Sequence, residues 1–316
     1  MLFSLIVPCF NEENGVAPFF EAVRSVFGGA DFSYEVVFVN DGSADGTLRG
    51  LRKLAAEQPD IVRVISFSRN FGKEAALLAG LQQAKGDILC FMDADLQHPP
   101  DIALDMLGKL RAAPNLDCVC AVQEERSERR LTRLLKNSFY KIINKLSDVR
   151  FVSGASDFRV FRRPVANALL SVTEYYRFSK GLFSWVGFET EYYPYRAAPR
   201  RSGESKWSLI KLMRYALDGI LSFTTVPLRA AVVAGLITSL LSIIYLLVVV
   251  VQKLFFSIDV PGYATIVTLI LFFGGAQLFF IGIVGEYLAR VFTQTKHRPA
   301  YIIRESINIQ TEGEKS

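Results

Sequence analysis

Two apolar runs near the carboxyl end of this 316-residue chain constrain its fold more than any other feature. Residues 230–251 and 264–285 are each 22 residues long and contain no charged side chain. At a rise of about 1.5 Å per residue, each run forms a helix of about 33 Å, long enough to cross a bilayer core of about 30 Å. The runs predict two transmembrane helices, with two buried helices of a soluble protein as the alternative.

The charges beside these runs predict how the helix pair is oriented. The connector 252–263 carries one Lys and one Asp, whereas the two outer flanks are basic. The flanking basic residues are Lys206, Lys211, Arg214 and Arg229 before the pair, and Arg290, Lys296, Arg298 and Arg304 after it. Because basic flanks stay in the cytoplasm, we expect a multi-pass protein of the inner (plasma) membrane with both termini cytoplasmic. The 4 cysteines, expected to be reduced, suit that compartment.

Residues 1 to about 120 alternate between short apolar runs and longer segments with helical periodicity. The predicted strands are residues 2–7, 35–40, 62–67, 87–92 and 117–122. The predicted helices are residues 16–27, 47–57, 73–84 and 101–112. Apolar strands separated by helices are typical of an α/β fold, here a Rossmann-like, mostly parallel sheet with helices on both faces. Such sheets bind ligands beyond the carboxyl ends of their strands.

Polar clusters follow four of these strands, so we expect them to meet at that edge. They are residues 11–13, 40–43, 69–73 and 93–95. The chain has no Gly-x-Gly-x-x-Gly after the first strand and no Walker-type Gly-Lys-Ser/Thr, which disfavours those two modes of nucleotide binding.

Asp93 and Asp95 follow the fourth predicted strand two residues apart, and Gln97 lies two residues further on. Carboxylates at this spacing on a turn can hold one hard cation, and the amide oxygen can add a third ligand. Mg²⁺ or Mn²⁺ held in this way would stabilise the charge on a departing diphosphate. The alternative is a solvated turn before the helix that starts near Asp101.

Other candidate residues have more than one interpretation each. Arg69 and Lys73, beside a predicted helix start, suit a phosphate, although a solvated surface explains them equally well. The Asp41 carboxylate could accept hydrogen bonds from a base or ribose, or form an Asx turn. Asp157, in a loop of small residues, could orient an acceptor, act as a base or cap a turn. His98 could be a ligand, although a satisfied surface histidine is the favoured interpretation.

Two amphipathic segments are candidates for contact with the membrane surface. Residues 126–150 contain eight basic side chains with large apolar residues at helical spacing, and residues 208–223 form a second such segment directly before the first apolar run. The alternative for residues 126–150 is a helix packed on the folded domain with a solvated basic face. Residues 200–207 combine basic side chains with an aromatic one and could receive a lipid-linked phosphate, although an exposed polar loop fits too.

The ordered motifs resemble those of family-2 glycosyltransferases with the GT-A fold. They lie at residues 7–13, 40–43, 69–73 and 93–100. Within that family the chain is most similar to the polyprenyl-phosphate glycosyltransferases, the branch that includes dolichyl-phosphate mannosyltransferase. Residues 183–187, the two apolar runs, and residues 285–287 and 296–301 resemble the bacterial bactoprenol glucosyltransferases. The resemblance extends from residue 3 to about residue 304.

The resemblance implies roles for individual residues. The nucleotide sugar would be bound by Pro8, Phe10, Glu12, Val39, Asp41, Arg69, Lys73, Asp93 and Ala94. The metal would be held by Asp93, Asp95 and Gln97, and catalysis would involve Asp93, Asp95 and Asp157. The acceptor phosphate would be met by Arg126, Arg200, Arg201, Ser205 and Lys206. Relatives often have Tyr at the position of Phe10, so a hydroxyl contact is absent there.

The predicted activity is an inverting, metal-dependent transfer of a sugar to polyprenyl (undecaprenyl) phosphate at the cytoplasmic membrane face. UDP-glucose is the favoured donor, while UDP-N-acetylglucosamine, other UDP sugars and GDP-mannose stay open. An alternative of another class is an inactive, membrane-anchored scaffold that binds nucleotide sugars. A processive polysaccharide synthase is disfavoured, because the chain has only two apolar runs and no Gln-x-x-Arg-Trp motif. A nucleic-acid binder leaves both runs unexplained, so no nucleic-acid partner is expected.

The predicted organisation has four parts. Residues 1–207 form a cytoplasmic glycosyltransferase domain, 208–228 a juxtamembrane amphipathic helix, 229–290 a transmembrane hairpin and 291–316 a cytoplasmic basic tail. The expected partners are a nucleotide-sugar donor, polyprenyl phosphate and the membrane. Glycines at positions 274, 275, 282 and 285 would let helices approach closely, which is compatible with a homo-oligomer.

Overall fold

A computed structural model describes residues 1–123, 144–145, 147, 149, 151–195, 223–256 and 262–309. The strands are β1 (Leu2–Cys9), β2 (Ser33–Asn40), β3 (Val62–Phe67), β4 (Ile88–Phe91), β5 (Cys118–Gln123), β6 (Ala155–Arg162), β7 (Thr190–Tyr195) and β8 (Ile303–Ile307). The helices are α1 (Val16–Phe27), α2 (Thr47–Glu57), α3 (Lys73–Gln83), α4 (Pro100–Ala112), α5 (Arg163–Ser171), α6 (Ser179–Trp185), α7 (Val226–Phe256) and α8 (Tyr263–Thr295). The chain divides into one compact unit from residues 1–219 and 299–316 and another from residues 220–298.

The first unit is built on a mixed sheet of 8 strands in the order β7-β5-β6-β4-β1-β2-β3-β8. Strands β6 and β8 run antiparallel to their neighbours, and the other strands share one direction. The predicted α/β class and mostly parallel sheet are confirmed. The five predicted strands and four predicted helices are all present, with boundaries within two residues. Strands β6, β7 and β8 were not predicted.

The sheet is covered on both faces because both sides of its central strands are apolar. On β1, the side chains of Phe3, Leu5 and Val7 belong to the main buried core with α1 and α4. Ile6 points to the opposite face, where α3 packs closely. A Cβ atom added at Gly80 of α3 would lie 2.3 Å from the Ile6 Cγ2 atom, so the small residue permits this contact.

Strand β8 returns the end of the chain to the edge of this sheet. It pairs antiparallel with β3. The ring of Tyr301, just before β8, stacks on Phe67 with 4.8 Å between ring centroids. The Asn308 side chain, just after it, donates hydrogen bonds to the backbone oxygens of Ala55 and Val62 at 3.0 and 2.9 Å. The tail that was predicted only as basic therefore includes a sheet strand.

The second unit contains α7 and α8, which cover the two apolar runs. Residues Val226–Val249 and Thr268–Thr295 are long and apolar enough to cross a membrane, and no part of the window tested in either is buried. Large apolar side chains such as Leu236 and Leu278 are 66% and 72% exposed. This exposure argues against the alternative of two buried soluble helices and makes both helices candidate membrane spans.

Several predicted features lie outside the described residues. They include most of both amphipathic segments and the acceptor-phosphate candidates Arg126, Arg200, Arg201, Ser205 and Lys206.

Candidate active site

Five strand ends bring the predicted polar clusters together at one edge of the sheet. Strands β1 to β4 end there, and the antiparallel β6 begins there, since Phe91 at the end of β4 pairs with Arg159 near the start of β6. This register places Asp157 beside the loop that follows β4. A residue predicted from an isolated loop thus joins the cluster because β6 runs antiparallel to β4.

The buried Asp41 carboxylate organises the loop between β3 and α3. It accepts hydrogen bonds from the backbone N–H groups of Phe71 at 2.6 Å and Gly72 at 2.9 Å, and from the Asn70 side chain at 2.9 Å. Burial raises the pKa of Asp41 above its usual value, although these hydrogen bonds oppose the shift. In this structure Asp41 shapes the loop that carries Arg69 and Lys73.

Gly42 allows that loop to approach β2. Its φ angle is +63°, and an added Cβ atom would lie 2.2 Å from the backbone carbon of Arg69. Any side chain at this position would collide with the loop backbone, so both the dihedral angle and the close approach require glycine.

The Lys73 ammonium lies between two carboxylates at the centre of the edge. Its Nζ atom is 2.7 and 2.9 Å from the two oxygens of Asp93 and 3.1 Å from Asp157 Oδ2. The side chains are 41%, 33% and 17% exposed, respectively, so solvent and ligands can reach this cluster. The carboxylates come from different strand ends, and the lysine holds them together.

These contacts determine the charge states of the cluster. Burial by itself raises the pKa of Asp157, but the charges of Lys73 and Lys180 outweigh it and lower the pKa to about 2. The pKa of Asp93 is also lowered, with burial again opposed by the charge and hydrogen bond of Lys73. Burial opposes protonation of Lys73, yet Asp93 and Asp157 raise its pKa above the usual value. At neutral pH all three groups are therefore charged.

His98 is buried beside Asp93 and is not the surface histidine expected from the sequence. It is 8% exposed, and its ring stacks on Phe158 with 4.7 Å between centroids. The backbone N–H of Asp93 donates to Nδ1 of His98 at 3.5 Å. Burial lowers the pKa of His98, although Asp93 opposes the shift, so a neutral imidazole acts as the acceptor.

Glu74, next to Lys73 on α3, connects the site to α6. Both of its carboxylate oxygens accept the backbone N–H of Ser179, at 3.1 and 3.0 Å, and the Ser179 hydroxyl donates to the same group. Burial raises the pKa of Glu74, and the charge of Asp157 acts in the same direction. No local sequence pattern marks Glu74, because its partner Ser179 is 105 positions away.

The remaining predicted donor-side residues differ in accessibility. The Phe10 ring is 42% exposed, whereas Val39 and Ala94 are 0% and 3% exposed. The backbone N–H of Glu12 donates to Thr47 Oγ1 at 2.8 Å, and Pro8 lies in β1 just before Phe10. The Arg69 guanidinium lies 4.0 Å above the Phe71 ring. These positions leave an exposed aromatic ring and a cation at the part of the edge that was predicted to bind the nucleotide.

Sequence profiles identify the family. The profile of Glycosyl transferase family 2 matches residues 4–170, and a profile described as the GtrB C-terminal hairpin matches residues 226–291. The chain belongs to glycosyl transferase family 2. Its mixed, mostly parallel sheet is of the GT-A type, and the resemblance noted from its motifs is confirmed.

Named relatives of this glycosyltransferase match it over nearly its whole length. CsbB of Bacillus subtilis (strain 168), which carries the name of a glycosyltransferase, is 42% identical over 96% of this chain and 92% of its own. Bactoprenol glucosyl transferase of Shigella phage SfV is 40% identical over 96% of this chain and 98% of its own. A solved structure of glucosyl-3-phosphoglycerate synthase from Mycobacterium tuberculosis, in complex with Mn²⁺, UDP and phosphoglyceric acid, is 20% identical with a TM-score of 0.49, covering 70% of this chain and 76% of its own.

The oxygen atoms on the turn after β4 of this glycosyltransferase are suitable ligands for a hard divalent cation. Asp93, Asp95 and Gln97 offer oxygen ligands on one turn, in which Leu96 has a φ of 58° and Asp95 Oδ1 accepts the Gln97 N–H at 3.0 Å. The buried Asp157 Oδ1 atom has no hydrogen-bond partner among the described residues, so it can accept a further ligand. Within the described ranges no three His, Cys, Asp or Glu side chains already form a metal-holding cluster. In this structure the Lys73 ammonium contacts Asp93.

Proposed function

We propose that this glycosyltransferase moves glucose from UDP-glucose to polyprenyl phosphate at the cytoplasmic face of the membrane. One observation carries the proposal: a charged Asp93–Lys73–Asp157 cluster at the GT-A sheet edge occurs in one chain with a GtrB-type helix hairpin. The substrates are favoured by the printed name of the Shigella phage SfV relative, which is 40% identical over 96% of this chain.

The reaction is a single displacement at the anomeric carbon. An oxygen of the acceptor phosphate forms the new bond to C1 of glucose while the bond from C1 to the UDP phosphate oxygen breaks, which inverts the configuration. UDP leaves with the electron pair of that bond. A bound Mg²⁺ or Mn²⁺, held by Asp93, Asp95 and Gln97, would supply positive charge to the departing diphosphate.

Asp157 orients the acceptor in this proposal and is not an obligate base. A phosphate monoester is already largely ionised at neutral pH, because its second pKa is about 6. The pKa of Asp157 is about 2, so its carboxylate is a weak base. Positioning and charge stabilisation then supply most of the rate acceleration.

The topology of the chain supports placing both ends of the hairpin on one side of the membrane. Strand β8 follows α8 and pairs with β3, which precedes α7. A single folded sheet cannot lie on both sides of a bilayer, so the segments before and after the hairpin share one side. The basic residues of both flanks favour the cytoplasm as that side.

A donor panel tests the proposal. Purified full-length protein is incubated with a short polyprenyl phosphate, Mg²⁺ or Mn²⁺, and UDP-glucose, UDP-N-acetylglucosamine or GDP-mannose in separate reactions, and the lipid product is identified by mass. We expect a hexosyl lipid from UDP-glucose at the highest rate. A lipid product from another donor alone would show that glucose is not the transferred sugar. Donor binding without any lipid product would favour the inactive scaffold.

A further inference from the structure

We propose that the Lys73 ammonium competes with a free divalent ion for Asp93 and so disfavours binding of the ion alone. Lys73 releases Asp93 when the ion and a diphosphate bind together. The inference deepens the proposed function and rests on it only in taking a nucleoside diphosphate and a divalent ion as ligands. Its basis is the Nζ position, 2.7 and 2.9 Å from the two oxygens of Asp93.

Lys73 competes directly for the atoms that a metal would need. Both Asp93 oxygens contact the ammonium, so a divalent ion that binds Asp93 must displace Lys73 or share the carboxylate with it. Displacement breaks the contacts between Lys73 and Asp93, and sharing places two cations close together in a partly buried site. Both outcomes disfavour binding of the ion alone. A diphosphate reverses this balance, because its oxygens offer the displaced ammonium a new anionic partner.

The location of Lys73 shows that it is not placed there to stabilise its own helix. It is the first residue of α3, and a cation at a helix N-terminus is unfavourable because of the helix dipole. Two carboxylates from other strands compensate for that position. Its flexible four-carbon side chain, 41% exposed, can swing from one anion to another without moving the backbone.

Asp157 gives Lys73 a second anchor when it leaves Asp93. The Nζ atom lies 3.1 Å from Asp157 Oδ2 in the present arrangement. Lys73 can therefore release Asp93 to the metal while staying near Asp157. The expected consequence is a positive coupling between metal and nucleotide binding, with Lys73 as its source.

The experiment measures Mn²⁺ binding to the purified full-length protein by the electron paramagnetic resonance signal of free Mn²⁺, with and without UDP. In the wild type we expect UDP to tighten Mn²⁺ binding by about tenfold or more. In Lys73→Met we expect Mn²⁺ alone to bind about tenfold tighter than in the wild type, and the gain from UDP to fall below about threefold.

Three controls make the result specific. Lys73→Arg keeps the charge and should keep the weak binding of Mn²⁺ alone. Lys109→Met removes a lysine that pairs with Glu191 on the exposed surface, and it should bind Mn²⁺ like the wild type. Thermal denaturation of each variant verifies folding. If Lys73→Met fails to fold, the wild-type measurement decides: equal Mn²⁺ affinity with and without UDP would overturn the proposal.

The proposal is also overturned if Lys73→Met binds Mn²⁺ alone no more tightly than the wild type, or keeps the full gain from UDP. These outcomes are separate from failure of the proposed function, because no acceptor lipid or sugar transfer enters the measurement. A protein that makes no glucosyl lipid can still show the Lys73 effect, and one that does can lack it.

Discussion

At the scale of single residues, Lys73 controls the ionisation of the site. The depressed pKa of Asp157, about 2 against an ordinary 3.8, depends first on the lysine charges that overcome burial. A carboxylate whose pKa is lower in the folded than in the unfolded state stabilises the fold at pH values above its pKa in the unfolded state. That stabilisation is lost as the pH falls through the interval between the two values.

We therefore predict that the stabilising effect of Lys73 depends on pH and is lost in acid. The thermal denaturation midpoint of Lys73→Met should lie below that of the wild type at about pH 5, and the difference should shrink between about pH 4 and about pH 2. The physical reason is that Asp93 and Asp157 become protonated and no longer need a counter-charge. A difference that is constant over this pH range would show that Lys73 acts through packing alone.

The residues of the site were predictable one at a time, but their arrangement was not. Asp93 follows an apolar strand, Lys73 lies at a predicted helix start, and Asp157 lies in a loop of small residues. These separate patterns marked them as candidates. Their meeting depends on the antiparallel register of β6 against β4, which no local pattern encodes. His98 was missed because its burial comes from stacking on Phe158, 60 positions away in sequence.

At the scale of elements, the strands that were predicted are those buried on both faces. Central parallel strands such as β1 and β2 are continuous apolar runs, so their sequence identifies them. Strand β6 has two polar residues among its first three and includes Arg159, and β8 mixes exposed and half-buried residues at the sheet edge. Neither has a continuous apolar run, so their pairing is determined by contacts distant in sequence.

Glu74 of α3 holds helix α6 through its hydrogen bonds with Ser179, and a single substitution tests this contact. Replacing Glu74 by Gln removes the charge and turns one acceptor toward the Ser179 N–H into a donor. We expect the free energy of local opening of α6 to fall by about 1 kcal/mol. Hydrogen exchange of its backbone amides should then be about fivefold faster.

Hydrogen exchange followed by mass spectrometry measures this change in peptides covering residues 179–185. Glu57→Gln, at the end of α2, makes the same chemical change at an exposed glutamate and serves as the control. Equal exchange of α6 in Glu74→Gln and in the control would mean that this hydrogen-bond set does not hold the helix.

At the scale of the whole molecule, the chain after the second apolar helix returns to the sheet close to the candidate donor site. Tyr301 stacks on Phe67, and the Phe67 ring meets Phe71 edge to face at 5.7 Å. Phe71 in turn lies under the Arg69 guanidinium. This row of rings connects the segment before β8 to the loop that carries Arg69 and Lys73.

We predict that Tyr301→Ala weakens donor binding. Loss of one aromatic contact of about 0.5–1.5 kcal/mol should raise the KM for UDP-glucose by about two- to tenfold, with a smaller effect on kcat. Tyr301→Phe keeps the stacking and loses only the hydroxyl that donates to Gln82, so it should resemble the wild type. Steady-state kinetics test this, and an equal fall of kcat in both variants would contradict the role of the ring.

The central claim is that sugar transfer takes place at the Asp93–Gln97 turn, and the rate of Asp95→Asn tests it most directly. The initial rate of glucosyl-lipid formation is measured with saturating Mn²⁺ in the wild type, in Asp95→Asn and in Asp105→Asn. The last makes the same change at an exposed residue of α4 and should match the wild type. We predict that Asp95→Asn folds normally and loses at least about 100-fold in rate. A folded Asp95→Asn with a rate within about twofold of the wild type would contradict the account.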